Sequence, residues 1–90
     1  MTQERVAAIR ARLEAELSPS TLEIKDDSRR HAGHAGARDG RGHFVVTIVS
    51  ERFAGTQRLA RHRMIYAALG SLMQTDIHAL SVTALAPDEL

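Results

Sequence analysis

The run His43-Phe44-Val45-Val46-Thr47-Ile48-Val49 constrains this 90-residue chain more than any other stretch. It is β-branched and almost continuously apolar, which suits a central strand. A second strand reads at Ile77-His78-Ala79-Leu80-Ser81-Val82-Thr83-Ala84-Leu85, with Leu80, Val82 and Ala84 on the face of His78. Between them, residues 57–73 carry a helical period, with Thr56 as the expected N-cap and Gly70 an internal weak point costing about 1 kcal/mol against alanine. Strand, helix and strand in this order form a crossover, right-handed as a rule, that pairs its two strands in parallel.

The first part of the chain completes the plan. Val6, Ile9, Leu13 and Leu17 recur at helical spacing, and Pro19 follows, which cannot continue a helix. Leu22-Glu23-Ile24-Lys25-Asp26 alternates apolar and polar, as an edge strand with one wet face does, and should form an antiparallel hairpin with the central strand. Residues 29–42 hold four glycines and no large apolar side chain, so a long loop is expected there, and 51–55 should be a turn. The expected fold class is α+β: one domain over residues 1–90, order α-β-β-α-β, with a three-stranded mixed sheet packed by helices.

Composition excludes several functions. With no cysteine, the chain can form neither a disulfide nor a thiolate metal site of its own. No apolar run approaches the roughly 18 residues that suggest a membrane span, and Met1-Thr2-Gln3-Glu4 does not open like a signal peptide; a soluble, cytoplasmic protein is expected. No serine sits in a nucleophile elbow, and the neighbouring Asp26 and Asp27 should point to opposite faces of a strand, so catalysis by the chain is not expected.

The topology does more for the histidines. Parallel pairing sets the start of the last strand, His78, beside the start of the central strand, His43, and the long loop with His31 and His34 ends at that edge. Four of the five histidines thus converge, although the extremes lie far apart in sequence. Imidazole is a common ligand for borderline ions, and without thiolates an iron–sulfur centre here would need cysteines from a partner. The plainer reading leaves the loop histidines solvated and His78 bonded to backbone. A stand-alone metal or haem site is a further alternative.

Charge points to a different region. Residues 1–27 carry four bases and six acids, 28–63 eight and two, and 64–90 none and three, so the middle is a basic belt. On the 57–73 helix, Arg58, Arg61 and Arg63 have no acidic neighbour and are candidates for phosphate contacts, against the bland reading of a solvated face. His62 falls near the centre of a stripe formed by Leu59, Ile65, Tyr66, Leu69, Leu72 and Met73, and is expected to be packed. Gly33-His34-Ala35-Gly36 matches a GxxG pattern but lies between strands, not helices, which argues against a KH-type loop.

Taken together, Ser28-Arg29-Arg30-His31-Ala32-Gly33-His34-Ala35-Gly36, His43-Phe44, Val49-Ser50-Glu51-Arg52-Phe53-Ala54-Gly55, Arg61-His62-Arg63-Met64-Ile65-Tyr66 and Ile77-His78-Ala79-Leu80 resemble the BolA family over nearly the whole chain. The resemblance implies a fold similar to type II KH. It also implies a monothiol glutaredoxin as partner, with a bridging 2Fe-2S cluster held by glutaredoxin and glutathione thiolates and by imidazole from this chain. His78 matches the family's C-terminal ligand; His31 matches the loop ligand, with His34 and His43 as substitutes. No cofactor is expected in the isolated chain, which should be a monomer. Bacterial members are also described as transcriptional regulators, in which the helix matching Arg61-His62-Arg63 is implicated in DNA binding, the alternative function. The chain departs from many relatives at Arg41-Gly42, and from several in ending with Asp88-Glu89-Leu90 where they carry a tryptophan.

Overall fold

The structure, a computed structural model, describes residues 2–28 and 41–90. The loop expected at 29–42, with His31 and His34, lies outside these residues except for Arg41 and Gly42, and Gly42 already belongs to a strand. Helix α1 (Thr2–Leu17) leads into strand β1 (Thr21–Asp26), and β2 (Gly42–Val49) follows. A 3-10 turn (Glu51–Phe53) precedes α2 (Arg58–Leu69); then come the single turn α3 (Leu72–Thr75), β3 (Ile77–Leu85) and a last 3-10 turn (Pro87–Glu89). The sheet order is β1-β2-β3, antiparallel between the first pair and parallel between the second. The mixed α+β plan expected from the sequence is the one formed.

One face of the sheet carries the core. Phe44, Val46 and Ile48 of β2 are buried with Ile9, Leu13 and Leu17 of α1 and with Ile65, Ala68 and Leu69 of α2. Strand alternation leaves His43, Val45 and Thr47 on the other face. The 3-10 turn closes the far end: Phe53 is fully buried, and the Ser50 hydroxyl donates to the Leu17 carbonyl at 2.6 Å while accepting from the Arg52 N–H at 3.1 Å.

Three local expectations need correction. The helix after β2 does not run to Met73: it ends at Leu69, where Gly70 adopts φ +54° and its N–H bonds the Tyr66 carbonyl. A positive φ is the conformation glycine takes most cheaply, so this residue is a stop, not an interior weak point. Thr56 is not the N-cap; that place falls to Gln57, without a side-chain bond, and the Thr56 hydroxyl donates to the Phe53 carbonyl at 2.7 Å.

The apolar stripe of the helix is also narrower than the sequence suggested. At about 100° per residue, Leu59 and Tyr66 fall roughly 100–120° from the buried Ile65, which turns them outward. They are 61% and 40% exposed. His62 is half-buried and not packed at the centre of the stripe, and its ring meets the edge of Tyr66 at 6.5 Å.

Candidate functional site

A bulge builds the histidine edge. Gly42 is level with Ile77 and His43 with Ala79, so a single step on β2 spans two on β3 and His78 is the extra residue. Such an insertion bends its strand and re-aims a side chain. Its effect is visible in burial: Ile77 is 1% exposed, His78 and Ala79 are both exposed, and Leu80, Val82 and Ala84 are half-buried. His78 therefore does not share the inward face of Leu80, Val82 and Ala84, as simple alternation predicts. It turns outward to meet His43 on the open side of the sheet, with ring centroids 5.1 Å apart.

The backbone around the pair is stitched from three directions. The Asp27 N–H donates to the His43 carbonyl at 2.7 Å, and the His43 N–H donates to the Ser28 hydroxyl at 3.0 Å. Asp26 steadies Ser28 in turn, accepting from its N–H at 2.8 Å. From the other side, the Gly42 N–H bonds the Asp76 carbonyl at 2.9 Å, and Arg5 reaches across from α1 to the Asp76 carboxylate at 3.3 Å. A Cβ on Gly42 would lie 2.7 Å from the Phe44 ring and 2.9 Å from the Ser28 hydroxyl, so any larger residue forces one of these side chains to shift.

The two imidazoles differ in access. His43 is 8% exposed, whereas His78 is open to solvent. Arg41 lies beside His78, with one guanidinium nitrogen 3.3 Å from Nδ1 and the other 3.4 Å from the Gln74 carbonyl. Guanidinium only donates, so in this contact Nδ1 accepts and the ring proton resides on Nε2. Among the described residues, no group of three or more histidine, cysteine, aspartate or glutamate side chains is placed to hold a metal ion. The predicted ligands thus divide: His43 and His78 are brought together, and His31 and His34 lie outside the described residues.

The basic candidates occupy the opposite end of β3. From His78 to Ala84 is six residues, about 20 Å at 3.3 Å per residue. Arg58 and Arg63 are exposed on α2. Arg61 is not a solvated cation: it grips Glu89 through both carboxylate oxygens, at 2.6 and 3.0 Å, and donates to the Ala84 and Thr56 carbonyls, each at 3.0 Å. The Arg61 bond holds the Glu89 carboxyl below its ordinary range, helped by the Ala86 N–H and then by the arginine's charge. Sequence reasoning missed this partner, 28 residues away. Thr56, Arg58, Arg61, His62, Thr83 and Glu89 border a shallow hollow of about 390 Å³.

Comparison with known proteins decides the family. The BolA-like protein family model matches residues 13–89. The chain belongs to the BolA-like family. It is 45% identical over 87 residues to SufE-like protein 1 of Arabidopsis thaliana, covering 91% of this chain and 24% of that protein. The solved BolA domain of SufE1 from Arabidopsis thaliana superposes with a TM-score of 0.84 at 42% identity, covering 96% of this chain and 95% of that one. Mouse BolA-like protein 1 is 44% identical over 81 residues, 90% of this chain and 57% of that protein. The Escherichia coli protein named DNA-binding transcriptional regulator BolA is 43% identical over 74 residues, 82% of this chain and 68% of that one. The BolA-like chain thus spans a quarter of one of these relatives and little more than half of another.

Proposed function

We propose that this BolA-like protein is a non-enzymatic cytoplasmic adaptor that docks on a monothiol glutaredoxin and shares a bridging 2Fe-2S cluster with it. His78 is one ligand, and His31, His34 or His43 supplies any second. The observation that carries the reading is the bulge that turns His78 out of the core and sets it 5.1 Å from His43. Strand alternation alone would have set it on the inward face with Leu80, Val82 and Ala84. The donor set fits a shared cluster: the chain offers imidazole and contains no cysteine, so thiolates must come from the partner and glutathione. Both histidines are fixed by strands, while the exposed ring of His78 is the one a partner meets first. The chain's own part is to hold a neutral imidazole in place, and acid opposes binding because a protonated ring has no lone pair for iron. Purification of the native complex, followed by identification of the partner and a visible spectrum, tests this. A co-purified monothiol glutaredoxin with iron–sulfur absorption is expected; recovery without glutaredoxin or visible absorption would reject the proposal.

A second reading, DNA binding through α2, is favoured by Arg58, Arg61 and Arg63 on a helix without an acid and by the Escherichia coli relative's name. Phosphate contacts make affinity fall steeply with salt, so gel shifts across a salt series measure it. Absent binding at low salt, or binding indifferent to salt, removes this reading.

A further inference from the structure

The contact between α2 and the last 3-10 turn bears on the second reading, on which the following rests. Arg61 is the most enclosed member of the basic group, with its side chain 11% exposed against 40% for Glu89. Its Nε–H goes to Thr56, one Nη1–H to Ala84, and the fork formed by Nη1 and Nη2 to the two oxygens of Glu89. That fork is the part of arginine that recognises a phosphate with two parallel bonds. The Glu89 carboxylate occupies it.

Glu89 is placed to be displaced. It belongs to the Pro87–Glu89 turn, which contributes no buried residue, and it is the outer partner of the pair. Its second hold is the Ala86 N–H, at 2.6 Å from Oε1. The backbone acceptors of Arg61 lie on β3 and before α2, so the guanidinium stays in place when the turn moves away. Arg58 borders the same hollow. We infer that Glu89 is an internal competitor for phosphate at this basic surface: while bound it withholds Arg61, and a phosphate that takes its place on the fork gains a bidentate contact. A purely structural brace would contain the same bonds but would not couple their loss to ligand affinity.

Charge removal at a neighbouring position separates these cases. Asp88 lies on the same turn and acts on Arg61 through its charge. E89Q, E89A, D88N, R61Q and the double variant R61Q/E89Q are each checked for folding by thermal melting. Binding is then measured to a random-sequence DNA duplex and to linear inorganic polyphosphate across a salt series. E89Q and E89A should bind more tightly than the parent, and the slope of log affinity against log salt on the duplex should steepen by about 0.9, the increment for one added phosphate contact. D88N should give a smaller gain at unchanged slope, and R61Q/E89Q should return to the slope of the parent.

A gain on both probes supports the inference and the nucleic-acid reading together. A gain on polyphosphate, with no binding to the duplex by the parent or by any variant, supports phosphate competition while removing DNA as the ligand. Parent binding to DNA with no gain in folded E89Q or E89A overturns the competition and leaves the nucleic-acid reading intact. An equal gain in D88N, a gain that persists in R61Q/E89Q, or no gain on either probe also overturns it.

Discussion

Ser50→Ala removes one oxygen from the junction where four elements meet. Ser50 is 1% exposed, and its side chain ties the end of α1 to the following 3-10 turn through Leu17 and Arg52. Its backbone N–H bonds Leu85 of β3 and would survive the substitution. The missing hydroxyl leaves the Leu17 carbonyl without this donor, at about 1–3 kcal/mol for a buried polar group. Loss of the N-cap adds about 0.5–2 kcal/mol, towards the low end because the Arg52 N–H is only partly buried. Solvent access to part of the junction brings the expected total to about 2–3 kcal/mol. For a domain of this size that lowers the melting temperature by roughly 10–20 °C. Urea unfolding followed by circular dichroism gives the free energy, and thermal melting gives the second quantity. A destabilisation below about 0.5 kcal/mol would refute the hydrogen-bond argument, since surface substitutions without a special role fall in that range. The His43–His78 ring contact should persist in the folded fraction, because this junction lies at the other end of β2.

Two further outcomes follow from local geometry. Gly42→Ala should cost about 1–3 kcal/mol by overpacking, because the Phe44 ring in its path is itself buried; urea unfolding measures the loss, and ring NMR shifts of His43 and His78 should move with it. Glu89 should titrate below an ordinary glutamate, with its tie to Arg61 intact above the ordinary value and lost as pH falls through the lowered one. Side-chain carbon NMR should show this, and Arg61→Gln should move the titration back upward; an unmoved midpoint would contradict the assigned cause.

The order of elements was readable because β-branched runs, alternation at 22–26 and a helical period each report one local preference. Those preferences agree with the crossover rule. The orientation of His78 was harder, although the sequence contains its signal: Ile77 and Leu80 are both inward candidates at an odd spacing, which a strand accommodates only by changing phase. A single series through 78, 80, 82 and 84 would put Ile77 on the solvent face, whereas it is buried. Gly70 could likewise be read as an interior glycine or a stop, and only its backbone angle decides between them. The Arg61–Glu89 tie depends on where the end of β3 delivers its next turn, which no periodicity reports. On the histidine edge, the sequence supplied the convergence of His43 with His78, and the bulge supplied the direction in which His78 points.

The central claim is that His78 presents imidazole to a cluster carried by a monothiol glutaredoxin. Mixing the protein with cluster-loaded monothiol glutaredoxin and recording visible circular dichroism tests it most directly, with His78→Ala compared after its fold has been checked in the far ultraviolet. The account predicts a changed cluster spectrum with the parent protein and loss of that change with folded His78→Ala. An unchanged spectrum with the parent, or the same change with His78→Ala, would contradict it.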